Sequence, residues 1–386
     1  MRRIEATYYV TTPLFSGGAD NRAKAEVRPP SLKGLLRFWF RNIMWPQLGS
    51  VEGVWREEQS LFGSTKGQGK FLISITECQG LAQVASGEKW ERHGLAYLGY
   101  GAVDRGETVR PYLKQGGHLT VALALKKDIS DKQVEFLVKS LKALGLFGGA
   151  GARSRKGFGS LSLVSLEVDG KKEWATPATI KELQENIKDF LTSLGLKKTP
   201  VETSPLPPYT AFSTRAKVYV VEGGTDPLAL LDDIGKELLH YRSYGRESGS
   251  KHVLPWGEPA EQNFADDHDL ILEFLNGSPI DRPPRRTVFG LPHNYFFKST
   301  RQKVAVEPAG HEDKRRASPL FIHLHALGNG RHAAVLTLMP AVFLPEGKNI
   351  VVSGRGGRQT VPPYVDFGVI ETFLNRPGLS SKVVWP

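Results

Sequence analysis

The chain has 386 residues, 40% of them apolar and 24% charged, with one cysteine and a formal net charge of +11. That length suggests two domains with long insertions, the lone Cys78 excludes an internal disulfide and a thiolate metal cage, and no apolar run approaches the roughly 20 residues of a membrane helix. The opening MRRIEATYYV lacks the apolar core of a signal peptide, so a reducing cytoplasm is the expected compartment.

The positive charge is unevenly placed. Residues 1–200 carry 30 Lys and Arg against 20 Asp and Glu, whereas 201–386 carry 21 against 20. Such a surface attracts polyanions, nucleic acid being the commonest, and would serve equally for solubility alone. The placement of the cations has to decide.

In chain order, Ile4, Ala6, Tyr8 and Val10 alternate with Glu5, Thr7 and Tyr9, which predicts a strand. TTPLFSGGAD ends it in a loop. A helix is expected from about Ser31, since Pro29-Pro30 cannot lie inside one, Ser31 is a good N-cap, and Leu32, Leu35, Leu36, Trp39 and Ile43 recur at helical spacing. FLISIT from Phe71 and HLTVALAL from His118 read as strands, with residues 78–117 as a long insertion before the second of them. Val134, Leu137, Val138, Leu141 and Leu144 mark a second helix, closed by the glycine loop GLFGGAGARSRKGFGS and followed by the strand SLSLVSLEV. Strand, helix, strand, strand, helix, strand is the order of an α+β, ferredoxin-like (RRM-like, split βαβ) fold.

LGLKKTPVETSPLPP, from Leu194 to Pro208, reads as a linker that separates a first domain, 1–200, from a second, 201–386. The second begins with the strand AKVYVV and a helix capped by Asp226-Pro227, with Leu231, Ile234, Leu238 and Tyr241 inside. ADDHDL reads as an acidic turn before a strand LILEFL. PLFIHLHAL and HAAVLTLM form a hairpin about Gly328-Asn329-Gly330, and a helix runs near Val365 to Leu374. A second ferredoxin-like unit in tandem is expected, although its last strand has no clear signal.

The glycine loop looks built to touch phosphate. A Walker loop requires the lysine after the last glycine, but Lys156 precedes Gly157, and no Ser or Thr is placed for Mg²⁺. A dinucleotide loop runs from strand to helix, and this one runs from helix to strand. KGFG at Lys156 to Gly159 fits the start of the RNA-recognition signature, but Ser160 and Leu163 stand where that signature has base-stacking aromatics. Gly149, Gly151 and Gly157, among Arg153, Arg155 and Lys156, would then hold an RNA backbone without reading bases. The plainer reading is a helix C-cap with a solvated basic turn.

The first helix offers an independent row. Lys33, Arg37 and Arg41 recur every four residues and, with Arg28 before the cap, span roughly 12 Å, near the reach of two phosphates in a single strand. SLKGLLRFWFRN contains no acid. Arg22 and Lys24 add to the charge just upstream.

TPLFSGGAD, EVRPPSLKGLLRFWFR and GGAGARSRKGFGSL together resemble the RAMP proteins of CRISPR systems, in particular those of the Cmr (type III-B) RNA-guided effector complex. PPRRTVFGLP and RRASPLFIHL resemble a second RAMP domain. The resemblance implies tandem ferredoxin-like domains in a non-catalytic subunit near the 3′ end of the guide RNA. It would help hold the guide and capture target RNA beside other Cmr subunits, with neither cofactor nor metal. The matching basic positions are Arg28, Lys33, Arg37, Arg41, Arg153, Arg155 and Lys156, with Arg285, Arg286, Arg315 and Arg316 in the second half.

Some RAMP relatives are endoribonucleases with a histidine base. His323 and His325 share a strand face with Phe321, a pattern read here as an ordinary half-buried strand, and no histidine precedes His93. A metal-independent endoribonuclease that processes guide RNA is the alternative, and a purely structural scaffold is the third. Trp45, Trp55 and Trp90 are candidate exposed aromatics for RNA or for neighbouring subunits.

Overall fold

The computed structural model describes residues 2–20, 22–197, 204–297, 300–310 and 315–386. The middle of the expected linker, 198–203, lies outside the described residues. In chain order the first half contains β1 (Arg3–Val10), α1 (Pro29–Leu48), α2 (Val51–Phe62), β2 (Phe71–Gln79), α3 (His93–Leu98), β3 (His118–Leu125), α4 (Asp131–Phe147), β4 (Leu161–Val168), β5 (Lys171–Ala175) and α5 (Ile180–Ser193). The second half contains β6 (Lys217–Glu222), α6 (Pro227–Arg242), α7 (Ala265–Leu275), β7 (His293–Phe297), β8 (Gln302–Pro308), β9 (Leu320–Ala326), β10 (His332–Leu338), β11 (Ile350–Gly354), β12 (Gly357–Val361), α8 (Gly368–Leu374) and β13 (Lys382–Trp385).

Three antiparallel sheets carry the chain. The first has the order β5-β4-β1-β3-β2, with Ile4, Ala6, Tyr8 and Val10 all buried beneath α1 and α4. The Tyr8 hydroxyl anchors that contact by donating to Leu141 O at 3.0 Å. The second sheet has the order β9-β10-β6-β13, and the third β7-β8-β11-β12. Because strand neighbours alternate faces, Ile322 and Leu324 pack with α6 and α8, whereas Phe321 turns to Trp39 of α1, ring centroids 5.9 Å apart. The second sheet is therefore buried on both faces, and one core cluster joins residues of both halves.

Several expectations are corrected. α1 starts at Pro29, not Ser31, because both prolines occupy the first turn, where a missing N–H costs no bond. The extended Arg28 is its N-cap, as suits a residue before proline. ADDHDL and LILEFL form one helix, α7, with Asp267, Ile271 and Phe274 buried at helical spacing. The 78–117 insertion holds α3, which packs on α6 across the halves: Asp232 of α6 accepts from the amides of Gly94 and Leu95 at 2.8 and 3.1 Å. The unassigned last strand is β13, antiparallel to β6.

β9 places His323 and His325 wholly inside. His323 Nδ1 donates to Gly148 O at 2.7 Å, so its Nε2 is left to accept from His325 Nδ1 at 3.2 Å. Both rings are thereby held neutral. Burial pushes His323 down to about 4 from its usual 6.5 and His325 well below 6.5. An unfolded chain takes up these protons first, so their contribution to stability is complete above about pH 6.5. It is lost on acidification toward pH 4, at about 1.4 kcal/mol per pH unit for each ring. Denaturant midpoints measured across this range should fall steadily. A flat curve between about pH 6.5 and 5, above most carboxylate titrations, would contradict the buried neutral pair.

Candidate nucleic-acid interface

The acid missing from α1 is supplied by α2. Glu58, 5% exposed, accepts from Arg37 Nε at 2.6 Å and from Arg41 Nη1 at 2.8 Å through the same oxygen. Two of the three cations expected to face phosphate thus clamp α2 onto α1, although two guanidiniums on one carboxylate still leave a net positive charge. Lys33 has no carboxylate partner among the described residues. Its ammonium lies 5.8 Å from the Phe71 ring centroid, and burial, then Arg37, lowers its pKa.

Lys33 and Arg37 form one wall of an open cleft of about 900 Å³. A tight hairpin in which Gly63-Ser64 pairs with Gly67-Gln68 forms the other, adding Ser64, Thr65 and Lys66. No carboxylate among the described residues lines this cleft. Cations, hydroxyls and glycine-flanked backbone are the donors a phosphodiester needs. Sequence reasoning missed this wall because α2, which carries the hairpin, was not recognised. The glycine-bracketed GSTKGQG was its available signal. Arg22, Lys24 and Arg28 remain exposed on the segment before α1, Arg28 at 3.7 Å from Glu26.

The glycine loop serves mainly as a joint between the sheets. β9 is an edge strand, and its outward amides find partners in and beside this loop. Ile322 N donates to Arg155 O at 3.1 Å, Leu324 N to Ser160 Oγ at 3.0 Å and Ala326 N to Ser162 Oγ at 2.9 Å. Ser160, which replaces an aromatic of the RNA-recognition signature, also donates to Gly157 O at 2.9 Å. Gly157 has φ +88°, and a Cβ there would lie 2.5 Å from Leu231 Cδ1. A Cβ at Gly149 would stand 2.7 Å from Gly159 O and one at Gly151 2.5 Å from Phe15 O. The glycines thus permit close backbone packing within the chain.

Two loop cations follow the joint inward. The Arg155 guanidinium sits 4.4 Å from the Phe321 centroid and donates to Ser318 O at 2.7 Å, and burial, then Arg316, pushes its pKa down to about 10. Lys156 keeps part of its stem exposed, but its ammonium is buried without a hydrogen-bond partner among the described residues. Burial first, then Arg242, Arg153 and Arg155, pushes it down to about 7. Arg153 alone of the three stays exposed, and burial, then the like charge of Arg315 in the second half, lowers its pKa.

Among the other arginines, Arg286 is corrected to a buried clamp, its Nε 3.2 Å from the fully buried Asp267. Arg285 lies 3.4 Å from Asp266 and over the Phe264 ring. Arg316 covers Phe343 and donates to Val342 O at 3.2 Å. Of the tryptophans, Trp55 is exposed, whereas Trp90 stacks on Phe158 and Trp45 packs edge-on to Tyr209.

Residues 7–162 match the RAMP superfamily. The chain is 24% identical over 341 residues to the CRISPR system Cmr subunit Cmr1-1 of Pyrococcus furiosus, an alignment covering 86% of each. Its fold is similar to the apo crystal structure of Cmr1 from Pyrococcus furiosus, with a TM-score of 0.56 at 19% identity over 100% of this chain and 99% of the other. It is also similar to a chain in the cryo-EM structure of the type III-B Cmr-beta bound to cognate target RNA, with a TM-score of 0.53 at 14% identity over 97% and 98% of the two chains. These two likenesses concern the fold.

The unpartnered ammonium of Lys156 gives a direct test of the joint. Lys156→Met keeps the stem and removes an amine whose unmet hydrogen bonds cost about 1–3 kcal/mol to bury, so the melting temperature without RNA should rise by several degrees. An unchanged or lower melting temperature would contradict an unsatisfied buried amine.

Proposed function

We infer from the match of residues 7–162 to the RAMP superfamily that the chain is a non-catalytic RNA-binding subunit of a type III-B Cmr CRISPR effector complex, standing in the place of subunit one. In that role it helps hold the 3′ region of the guide RNA and capture complementary target RNA for antiviral defence, in the prokaryotic cytoplasm and beside other Cmr subunits. The observation that carries this reading is the carboxylate-free cleft between α1 and the hairpin at 63–68. The similarity to Cmr1-1 along most of the chain supports it.

The halves, 1–200 and 201–386, are read as two ferredoxin-like domains. Supporting this, the strand orders β4-β1-β3-β2 and β13-β6-β10-β9 have the same sequence of fourth, first, third and second when each set of four is numbered along the chain. The non-catalytic reading rests on the burial of His323 and His325, which keeps both imidazoles from a substrate phosphate.

The RNA path is taken to run past Arg22, Lys24 and Arg28 into the cleft at Lys33 and Lys66, with Arg153 and Arg315 forming a separate exposed pair. Backbone contacts of this kind weaken every sequence alike when removed. Lys33→Ala and Lys66→Ala should each lower affinity for unrelated single-stranded RNAs and reduce the salt slope by about 0.7 per lost contact. Slopes equal to wild type would contradict the cleft as an RNA site. In EDTA the bound RNA should stay intact, and a discrete cleavage product would contradict the non-catalytic reading.

A further inference from the structure

The exposed cation of the glycine loop has an aromatic neighbour that the cleft does not use. Tyr100, in the insertion after α3, is 71% exposed. The Arg153 guanidinium lies 5.9 Å from its ring centroid. Gly101 makes this approach possible, since a Cβ there would stand 2.9 Å from Arg153 Nη2. Arg153 itself is held at φ +63°, in a turn closed by Lys156 N donating to Arg153 O at 2.8 Å.

The surroundings are one-signed. Burial, then Arg315 and Arg110, lowers the Arg153 pKa, and Tyr100 is the only opposing influence on it. No carboxylate among the described residues forms an ion pair with Arg110 or Arg153. Arg110 of the insertion and Arg315 of the second half therefore each repel Arg153, which lies beside an exposed aromatic ring. A phosphate between them would relieve that repulsion, and a base on the ring would bury it. An aromatic with acid-free cations around it is the combination that single-stranded nucleic acid binders use. Tyr364 is also exposed, at 80%, but no cation among the described residues lies over its ring.

We propose that Tyr100 is a stacking platform for one nucleobase of a single-stranded RNA whose adjoining phosphates are held by Arg110, Arg153 and Arg315. The platform rests on the RNA-binding reading above and adds base stacking to it. It supplies, from the insertion, the aromatic contact that Ser160 and Leu163 do not provide from the sheet. Stacking accepts every base, so the site remains tolerant of guide sequence.

The full-length chain is titrated with a short single-stranded RNA carrying 2-aminopurine, using wild type, Tyr100→Phe and Tyr100→Ala. Tyr100→Phe should bind as wild type and quench the base analogue. Tyr100→Ala should lose on the order of 10- to 100-fold in affinity, together with the quenching, while its salt slope is unchanged because no phosphate contact is lost. Wild-type affinity and quenching in Tyr100→Ala would overturn the platform and leave the RNA-binding reading standing. No binding by wild type would overturn both. If Tyr100→Ala binds RNA normally and fails instead to assemble with neighbouring subunits, the ring is a protein contact and the platform is overturned.

Discussion

The edge of the second sheet determines much of what the rest of the molecule can do. An uncovered edge strand presents unpaired amides, and each one buried without a partner costs about 1–3 kcal/mol. Here the amides of Ile322, Leu324 and Ala326 are satisfied by Arg155 O, Ser160 Oγ and Ser162 Oγ. The loop that supplies them must approach closely, which explains its glycines, and must bring hydroxyls, which explains its serines. Locking β9 this way seats Phe321 against α1 and fixes the first sheet relative to the second. Arg153 and Arg315, from opposite halves, thereby acquire a fixed relation.

The same constraint sorts the cations. Charge and spacing identify arginines, but an arginine can be spent on a carboxylate, on an aromatic face or on a carbonyl. Arg37 and Arg41 are spent on Glu58, Arg286 on Asp267, and Arg155 on Phe321 and Ser318 O. Those left open are Lys33 and Lys66 at the cleft, the exposed residues ahead of α1, and Arg153 with Arg315 near Tyr100. In the RNA-binding reading, the first group sets the shape and the second meets the ligand. The basic excess of the first half therefore overstates how many contacts RNA can make there.

Much of the fold was legible in the sequence. β1 and α4 declare themselves because one face of each is apolar at a single period, and the hairpin of β9 and β10 because two apolar runs flank Gly328-Asn329-Gly330. α7 was misread because LILEFL, apolar at every position but Glu273, is too short to separate the two periods. Only the burial of Asp267 four residues before Ile271 decides for a helix. β13 escaped because KVVW is short and places Val383 outward, so its strand character comes from pairing with β6. At the interface, Lys33 was legible from helical spacing alone. The fates of Arg37 and Arg41 depend on Glu58, on a helix the sequence reading did not find. Tyr100 was invisible because its neighbours come from distant parts of the chain.

The central claim is that RNA follows the open cations and avoids the joint. Photocrosslinking of the full chain to a uniformly 4-thiouridine-labelled single-stranded RNA, followed by peptide mapping, tests it most directly. The account predicts crosslinked peptides around Lys33, Ser64 to Lys66 and Tyr100, and none containing His323, Arg286 or Gly157. Crosslinks concentrated on β9 or on the buried part of the glycine loop would contradict it.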